Sequence, residues 1–324
     1  MEISAPRSGT DDTFDGRTAP GPETPVTVAV VGVGALGLPM ARRLAHAGFD
    51  VTGIEPFIEN RRRAEESGIQ CVEEIAAADN HDVVLVLVAT GQQVKDVVEQ
   101  AIRRPTGVHG ETWIVVSTIG PKDARTAYDA LTRAGAVVVD APVTGGVPGA
   151  ERGQLRFFAA GPQAVVDAHE RLWSVLGTVL YVGEQVGDGQ SMKLVNQLCS
   201  STHLVVAAEA VALAQSLGLD PLKAVELISG GSGASWFFDD RGARMAAGTD
   251  EVLTRLAILA KDSALVEAQA AEAGASVPML QAARRQYLKA HGMDLLESDD
   301  SQIVRTYITP SPATVGSASS SSAK

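Results

Sequence analysis

Between residues 26 and 183 the chain alternates two hydrophobic rhythms. Short, nearly unbroken apolar runs occur at Val26–Val31, Val51–Ile54, Asp82–Val88, Trp113–Ser117, Ala136–Asp140, Leu155–Ala159 and Val179–Val182. Runs of this kind suit strands buried on both faces of a parallel sheet. Helical stretches separate them, at Leu36–Ala47, Asn60–Ser67, Gln92–Ile102, Pro121–Arg133 and Gln163–Leu176. Proline opens the fourth of these, at the helical position where its missing N–H costs nothing. The alternation predicts an α/β doubly wound parallel sheet with right-handed crossovers.

Beyond Gly187 the strand-like runs stop. Asp188–Leu217, Pro221–Ile228, Trp236–Met245, Leu253–Ala273 and Met279–His291 all read as helix, so an all-α domain follows the sheet. The first of these is the longest, roughly 45 Å at the usual rise per residue. Asp188 offers a cap at its start and Gly218 a left-handed stop. Leu194, Val195, Leu198, Leu204, Val205, Val206, Val211 and Leu213 make it apolar on nearly every side, which predicts a buried spine. One stripe is polar. Lys193, Asn196, Gln197 and Ser200 are spaced i, i+3, i+4, i+7 and share a face. A lysine is seldom fully buried without a partner or a purpose.

Outside this region, residues 1–24 and 309–324 are rich in Pro, Gly, Thr, Asp or Ser without periodicity and are expected to be disordered tails. The first tail lacks the apolar segment of a signal peptide. No unbroken apolar run reaches membrane-spanning length. The net charge of −12 argues against a broad nucleic-acid or anionic-membrane surface. A cytoplasmic protein is expected, with Cys71 and Cys199 as reduced, buried thiols. No residue spacing suggests a metal site.

Gly32-Val33-Gly34-Ala35-Leu36-Gly37 is a GxGxxG pattern that follows a strand and opens a helix. That context makes it a dinucleotide-binding fingerprint rather than a glycine-rich turn. Gly32 serves the tight turn, Gly34 the approach of a pyrophosphate, and Gly37 the close packing of helix on strand. Ala35 and Leu36 lie where the helix N-terminus offers its N–H groups. Glu55, about twenty residues on at the end of the second strand, suits the adenine ribose hydroxyls and would repel the 2′-phosphate of NADP. Arg61, Arg62 and Arg63 could receive such a phosphate, but they lie in the next helix, so NAD is favoured over NADP. The expected division is an NAD-binding domain over 25–187 and a helical substrate and oligomerisation domain over 188–308.

Four blocks together give the chain a clear resemblance. They are VAVVGVGALGLPMARRLAHAG at Val28–Gly48, Ser117-Thr118-Ile119-Gly120-Pro121, Asp140-Ala141-Pro142-Val143-Thr144-Gly145-Gly146, and Lys193-Leu194-Val195-Asn196-Gln197. From Val26 to about Thr306 the chain resembles the β-hydroxyacid dehydrogenase family, which includes 3-hydroxyisobutyrate dehydrogenase, tartronate semialdehyde reductase and L-threonate dehydrogenase. Lys261-Asp262 matches a pair found late in that family. SWFFDDR at Ser235–Arg241 and the ending DDSQIVRTY look most like its L-threonate branch. Thr144 stands where the family usually has serine.

The resemblance implies NAD-dependent oxidation of a small hydroxyacid, with Lys193 as general acid/base. Such a lysine needs a pKa lowered toward neutrality, which burial and a nearby cation provide. On the residues alone, a lysine near a helix start with its head in solvent fits as well. Asn196 is expected to fix the substrate, or else to be a satisfied core amide. Thr144, Gly145 and Gly146 offer a hydroxyl and backbone N–H groups as a carboxylate cradle, or simply a turn. Thr118 reads as a cofactor contact or a helix cap. Lys261 shares a helical face with Ile258 and Leu265, so it points toward apolar packing, and it reads as a second cation at the cofactor–substrate boundary or else as a surface lysine paired with local acids. Trp236 and Phe237 either wall a pocket or fill core. Rival activities are imine reduction and a non-catalytic NAD-binding reader, both at odds with Lys193. The long apolar helix points to a homodimer or homotetramer.

Overall fold

The computed structural model describes residues 25–308. The expected tails, 1–24 and 309–324, lie outside them. Nine strands form one sheet: β1 (Thr27–Val31), β2 (Asp50–Ile54), β3 (Gln70–Val72), β4 (Val83–Val86), β5 (Thr112–Val115), β6 (Val137–Asp140), β7 (Val143–Thr144), β8 (Leu155–Ala160) and β9 (Gly177–Gly183). From β3 to β6 the order is β3-β2-β1-β4-β5-β6, all parallel. The chain reverses its winding between β1 and β4, where such sheets open a ligand crevice at the strand C-termini. Beyond β6 the polarity changes: β8 runs antiparallel to β6 and β7, and β9 runs parallel to β8.

Helices cover both faces. Val28, Val30, Leu85 and Ile114 pack with α1 (Gly37–His46) on one side. Ala29, Val31, Val84 and Val115 pack on the other with α3 (Gly91–Ile102) and α4 (Pro121–Arg133). Burial on both faces is what the unbroken apolar runs require. Local chemistry sets the ends. Thr90 and Gln93 form a capping box at α3, and Pro121 takes the first position of α4.

Helix α2 is Ile58–Glu66. Two 3-10 turns, Ile75–Ala77 and Asp300–Thr306, and three of the strands and α-helices have no counterpart in the sequence reading. β3 is three residues long and β7 two, too short for any period to register. Helix α5 (Gly146–Arg152) carries two glycines and a proline, which read as a turn. The expected helix over Gln163–Leu176 is two, α6 (Gln163–Ala168) and α7 (Glu170–Leu176), with His169 off helical geometry between them.

The helical domain comprises α8 (Asp188–Ser216), α9 (Pro221–Ile228), α10 (Trp236–Ala247), α11 (Leu256–Glu272) and α12 (Pro278–Gly292). Leu204, Val205, Ala208 and Val211 of α8 pack with Phe238, Leu259 and Tyr287. α11 begins three residues later than expected, because the N–H groups of Leu253 and Thr254 donate to the Asp299 carboxylate and hold that segment extended.

Two expectations for α8 are corrected. Asp188 does not cap the helix: Gly187, at φ +102, is the cap residue, and no side chain of the helix itself takes the free amides. Nor is the helix buried all round. Val195, Val206 and Leu213 are 61, 60 and 57% exposed, because its neighbours cover one side only. By length and composition α8 could cross a membrane, but half of its most apolar window is buried within the fold. Cys199 is likewise exposed and Cys71 only half-buried; both are free thiols.

Candidate active site

The glycine loop has the geometry its pattern requires. Gly32 sits at φ +94, and a Cβ there would lie 2.5 Å from the carbonyl oxygen of Leu87. A Cβ on Gly37 would lie 1.9 Å from the Gly32 carbonyl oxygen, so only glycine lets α1 start so close to β1. A Cβ on Gly34 would meet nothing within 4 Å. Its backbone therefore faces open space, as a passing pyrophosphate would need. α1 starts with no side-chain cap and no acidic residue in its first turn, which leaves its N-terminus to an anion.

Glu55 follows directly on β2, and its Oε1 accepts from the Phe57 N–H at 3.1 Å. Arg61 is already engaged: it donates to the carbonyl oxygens of Glu55 and Pro56 at 2.8 Å each and pairs with Glu73 at 3.4 Å. Arg62 pairs with Glu59, and Arg63 donates to the Asn60 side chain. The residues present fit a dinucleotide whose ribose lacks a 2′-phosphate.

The polar stripe of α8 meets α11 beside the C-terminal ends of β4 and β5. Lys193 is 5% exposed, and among the described residues its ammonium has no hydrogen-bond partner. Burial pulls its pKa down to about 8; Asp262 opposes that and Lys261 adds to it. Asp262 is buried, takes a hydrogen bond from Gln197 Nε2 at 2.6 Å, and lies 3.0 Å from Lys261 Nζ. Asn196 is half-buried and donates to Gln197 and Ser200, at 2.9 and 3.3 Å. Lys261 does not turn into apolar packing with Ile258. Its side chain is 43% exposed and its ammonium reaches the carbonyl oxygens of Ala89 and Thr118, at 3.3 and 3.4 Å, on the rim of the crevice.

Thr118 therefore contributes its carbonyl to Lys261 and caps nothing; Gly120 is the cap residue of α4. Thr144 is half-buried at the end of β7, opposite Arg156. Gly145 and Gly146 are exposed, at φ +123 and +62, and begin α5. Among the described residues no hydrogen bond joins this loop to Lys193 or Asn196, whereas Lys261 reaches the Thr118 carbonyl and Lys193 feels the charges of Lys261 and Asp262. Trp236 is largely exposed and stacks edge-on with Phe237, with Arg241 over both rings. Two cavities of about 250 and 220 Å³ sit on the helical domain, away from Lys193.

Two residues at the site were not singled out by the sequence. Asp140, fully buried, accepts from the N–H groups of Gly187 and Gln190 at 3.0 and 2.9 Å, and so caps α8 from the sheet. Burial pushes its carboxyl up to about 6, against the bonds from Gln190 that favour the anion. The Gln190 side chain accepts from Ile119 and Gly120 N–H and donates to the Ser117 carbonyl and Asp140. The available signal was an aspartate closing an otherwise apolar strand, since a buried carboxylate must find donors.

Comparisons with known proteins agree with this geometry. Residues 27–183 match the NAD binding domain of 6-phosphogluconate dehydrogenase, and residues 187–307 match the NAD-binding domain of NADP-dependent 3-hydroxyisobutyrate dehydrogenase. The chain is 30% identical to the L-threonate dehydrogenase of Cupriavidus necator, over 86% of this chain and 95% of that protein. It is 28% identical to the 2-hydroxy-3-oxopropionate reductase of Escherichia coli, over 72 and 80% of the two chains. The crystal structure of 3-hydroxyisobutyrate dehydrogenase from Salmonella typhimurium superposes with a TM-score of 0.78 at 25% identity, over 86% of this chain and 99% of that one.

Proposed function

The chain belongs to the family of 3-hydroxyisobutyrate dehydrogenase-like hydroxyacid dehydrogenases, and we propose that within it the protein oxidises a four-carbon sugar acid of the L-threonate type, with Lys193 as the acid/base. It is an NAD-dependent oxidoreductase acting on the hydroxyl of a small hydroxyacid. Several similar proteins carry the L-threonate dehydrogenase name, which sets the substrate order. Tartronate semialdehyde, the substrate class of the 2-hydroxy-3-oxopropionate reductase relative, comes second, and short 3-hydroxyacids third.

The observation that carries the mechanism is Lys193: a lysine only 5% exposed, its amine unbonded among the described residues and its pKa lowered to about 8. The glycine loop and Glu55 would hold NAD, which would supply the hydride acceptor. Lys193 in its neutral form takes the hydroxyl proton as the substrate carbon gives up hydride and the carbonyl forms. In the reverse direction its ammonium returns that proton to the oxygen. Asn196 holds the hydroxyl or carboxylate, and Thr144, Gly145 and Gly146 supply a hydroxyl and backbone N–H groups to the carboxylate. Lys261 steadies the negative charge of cofactor and substrate at the rim. Imine reduction and a silent reader are both disfavoured by a lysine so prepared, and Glu55 disfavours NADPH.

The exposed apolar stripe of α8 gives the reading of assembly. Met192, Val195, Cys199, Val206, Leu213 and Leu217 recur at three-, four- and seven-residue spacing on a face uncovered in one chain. A second copy of the same helix has a matching stripe, so a homodimer or homotetramer covers it. We place the enzyme in the cytoplasm, acting without a nucleic-acid or membrane partner.

The test is NADH formation by absorbance over a panel of hydroxyacids, for the wild type and Lys193→Ala, with NADP in parallel. Turnover of L-threonate with NAD, lost in the variant, is the expected result. Binding of NAD with no turnover of any hydroxyacid returns the silent reader to the front.

A further inference from the structure

The first turn of α8 is keyed into the sheet by its backbone and by one side chain. A Cβ on Gly189 would lie 2.3 Å from the Phe158 carbonyl oxygen and 2.9 Å from that of Asp140, so here the helix rests directly on the backbones of β8 and β6. Gln190, next along, has no exposed surface. Its amide makes every hydrogen bond its geometry allows. Oε1 accepts from Ile119 and Gly120 N–H at 2.9 and 3.0 Å, while Nε2 donates to the Ser117 carbonyl at 2.9 Å and to Asp140 Oδ1 at 2.8 Å.

Avoiding a desolvation penalty needs fewer bonds than this. What the four bonds add is register among three segments. One is the loop Ser117–Gly120, whose Thr118 carbonyl receives Lys261. The second is the end of β6. The third is α8 itself, where Gln190 precedes Lys193 by three residues, about one turn. The loop lies at the strand ends where a bound dinucleotide runs, and α8 carries the amine.

We infer that Gln190 is a positioning residue for hydride transfer: it locks the loop Ser117–Gly120 to the first turn of α8 and so fixes where Lys193 stands relative to the cofactor and substrate. This rests on the reading of Lys193 as the acid/base. Gln190 touches neither substrate nor the reacting atoms. It acts through the two elements it ties, and misplacement of a catalytic group by about 1 Å is enough to cost on the order of a hundredfold in rate.

Gln190→Met keeps the length and volume of the side chain and removes all of its bonds. The expected result, measured on the full-length enzyme, is a kcat lower by roughly 10- to 100-fold. The KM values for NAD and substrate stay within a few-fold. The isotope effect with substrate deuterated at the hydroxyl-bearing carbon increases, because the hydride step becomes more rate-limiting. Amide hydrogen exchange at Ile119 and Gly120 also speeds up. Gln190→Asn keeps a neutral amide but shortens its reach, so it gives up part of the four bonds without setting a second carboxylate against Asp140, and is expected to fall between wild type and Gln190→Met; it serves if the methionine variant does not fold. An active wild type beside a Gln190→Met enzyme with unchanged kcat and isotope effect overturns the inference alone. A wild type silent on every hydroxyacid removes the acid/base reading, and the inference with it.

Discussion

Gln197 donates to Asp262 across 2.6 Å, and the same carboxylate lies 3.0 Å from the ammonium of Lys261. Asp262 is thus held by one side chain of α8 while it balances the exposed lysine of α11. The two charges act on Lys193 in opposite senses, Asp262 raising its pKa and Lys261 lowering it, beneath a larger downward effect of burial.

The pH profile of oxidation follows. The base must be neutral, so kcat/KM climbs as pH rises and levels off above about 8, where Lys193 titrates. Asp262→Asn removes the charge that favours the ammonium and moves this limb to lower pH. Lys261→Met removes the repelling cation and moves it to higher pH. Initial rates between about pH 6 and 10 check this. A limb that stays put in both variants means another group titrates.

Lys193 also carries a cost in stability. Its folded pKa of about 8 lies below the ordinary 10.5, so folding favours the neutral amine. The stabilisation that goes with the neutral form is present above about pH 10.5 and is lost as pH falls through 8. At pH 7 the buried charge therefore opposes folding by on the order of 3 kcal/mol. Lys193→Met is expected to melt several degrees higher at neutral pH, with the difference closing as pH approaches 10, while activity falls at least a hundredfold. Thermal denaturation at both pH values would show it, and a variant that melts lower at neutral pH contradicts it.

Much of this was legible in the sequence because periodicity reports burial. The parallel strands β1, β2, β4, β5 and β6 are buried on both faces, so their apolar runs are unbroken, and GxGxxG has a meaning fixed by its strand and helix. Lys193 stood out as a cation in an apolar helix. Gln190 and Asp140 did not, because a buried amide and carboxylate look like surface residues until the fold brings partners 50 and 73 residues away in sequence to hydrogen-bond distance. The reversal of β8 was hidden because an apolar run has no direction. The open side of α8 was hidden for a different reason: a helix apolar all round reads the same whether its own chain or another covers it.

Glu55 should decide the cofactor. The Arg61 guanidinium is tied to the backbone of Glu55 and Pro56 rather than held out for a 2′-phosphate, and the Glu55 carboxylate repels one. Wild type is expected to prefer NAD over NADP by well over tenfold in kcat/KM, and Glu55→Gln to narrow that ratio about tenfold by losing NAD affinity and admitting NADP. Comparing the two cofactors at fixed substrate reads the ratio directly. An NADP-preferring wild type would overturn the assignment.

The helical domain is pinned by an ion cluster whose loss should be costly. Arg241 contacts both oxygens of Asp300 at 3.1 Å, and Arg244 reaches Asp299 at 2.8 Å and Asp300 at 3.4 Å. Asp300 is fully buried, and its carboxyl is pushed up to about 6 by burial even with Arg241 beside it. Arg241→Met leaves that buried charge with Arg244 alone, at 3.4 Å, and is expected to cost about 3 kcal/mol at neutral pH. Removing the cation raises the Asp300 carboxyl above its wild-type value, so the loss should shrink as pH falls toward 6 and the variant's carboxyl protonates first. Urea denaturation at pH 7.5 and 5.5, read against wild type, distinguishes this from a pH-independent packing defect.

Assembly is tested on the stripe of α8. Val206 and Leu213 lie seven residues apart on the uncovered face, each more than half exposed in one chain. If a second copy covers them, each buries apolar area worth roughly 1.5–3 kcal/mol, and a charge placed there must be desolvated to form the interface. Val206→Asp with Leu213→Glu is therefore expected to shift the sedimentation coefficient from that of the oligomer to that of one chain, without loss of helical circular dichroism. Activity should fall less than in Lys193→Ala, since neither residue lines the crevice. A wild type that sediments as a single chain at every concentration rules the interface out and leaves the stripe without an occupant.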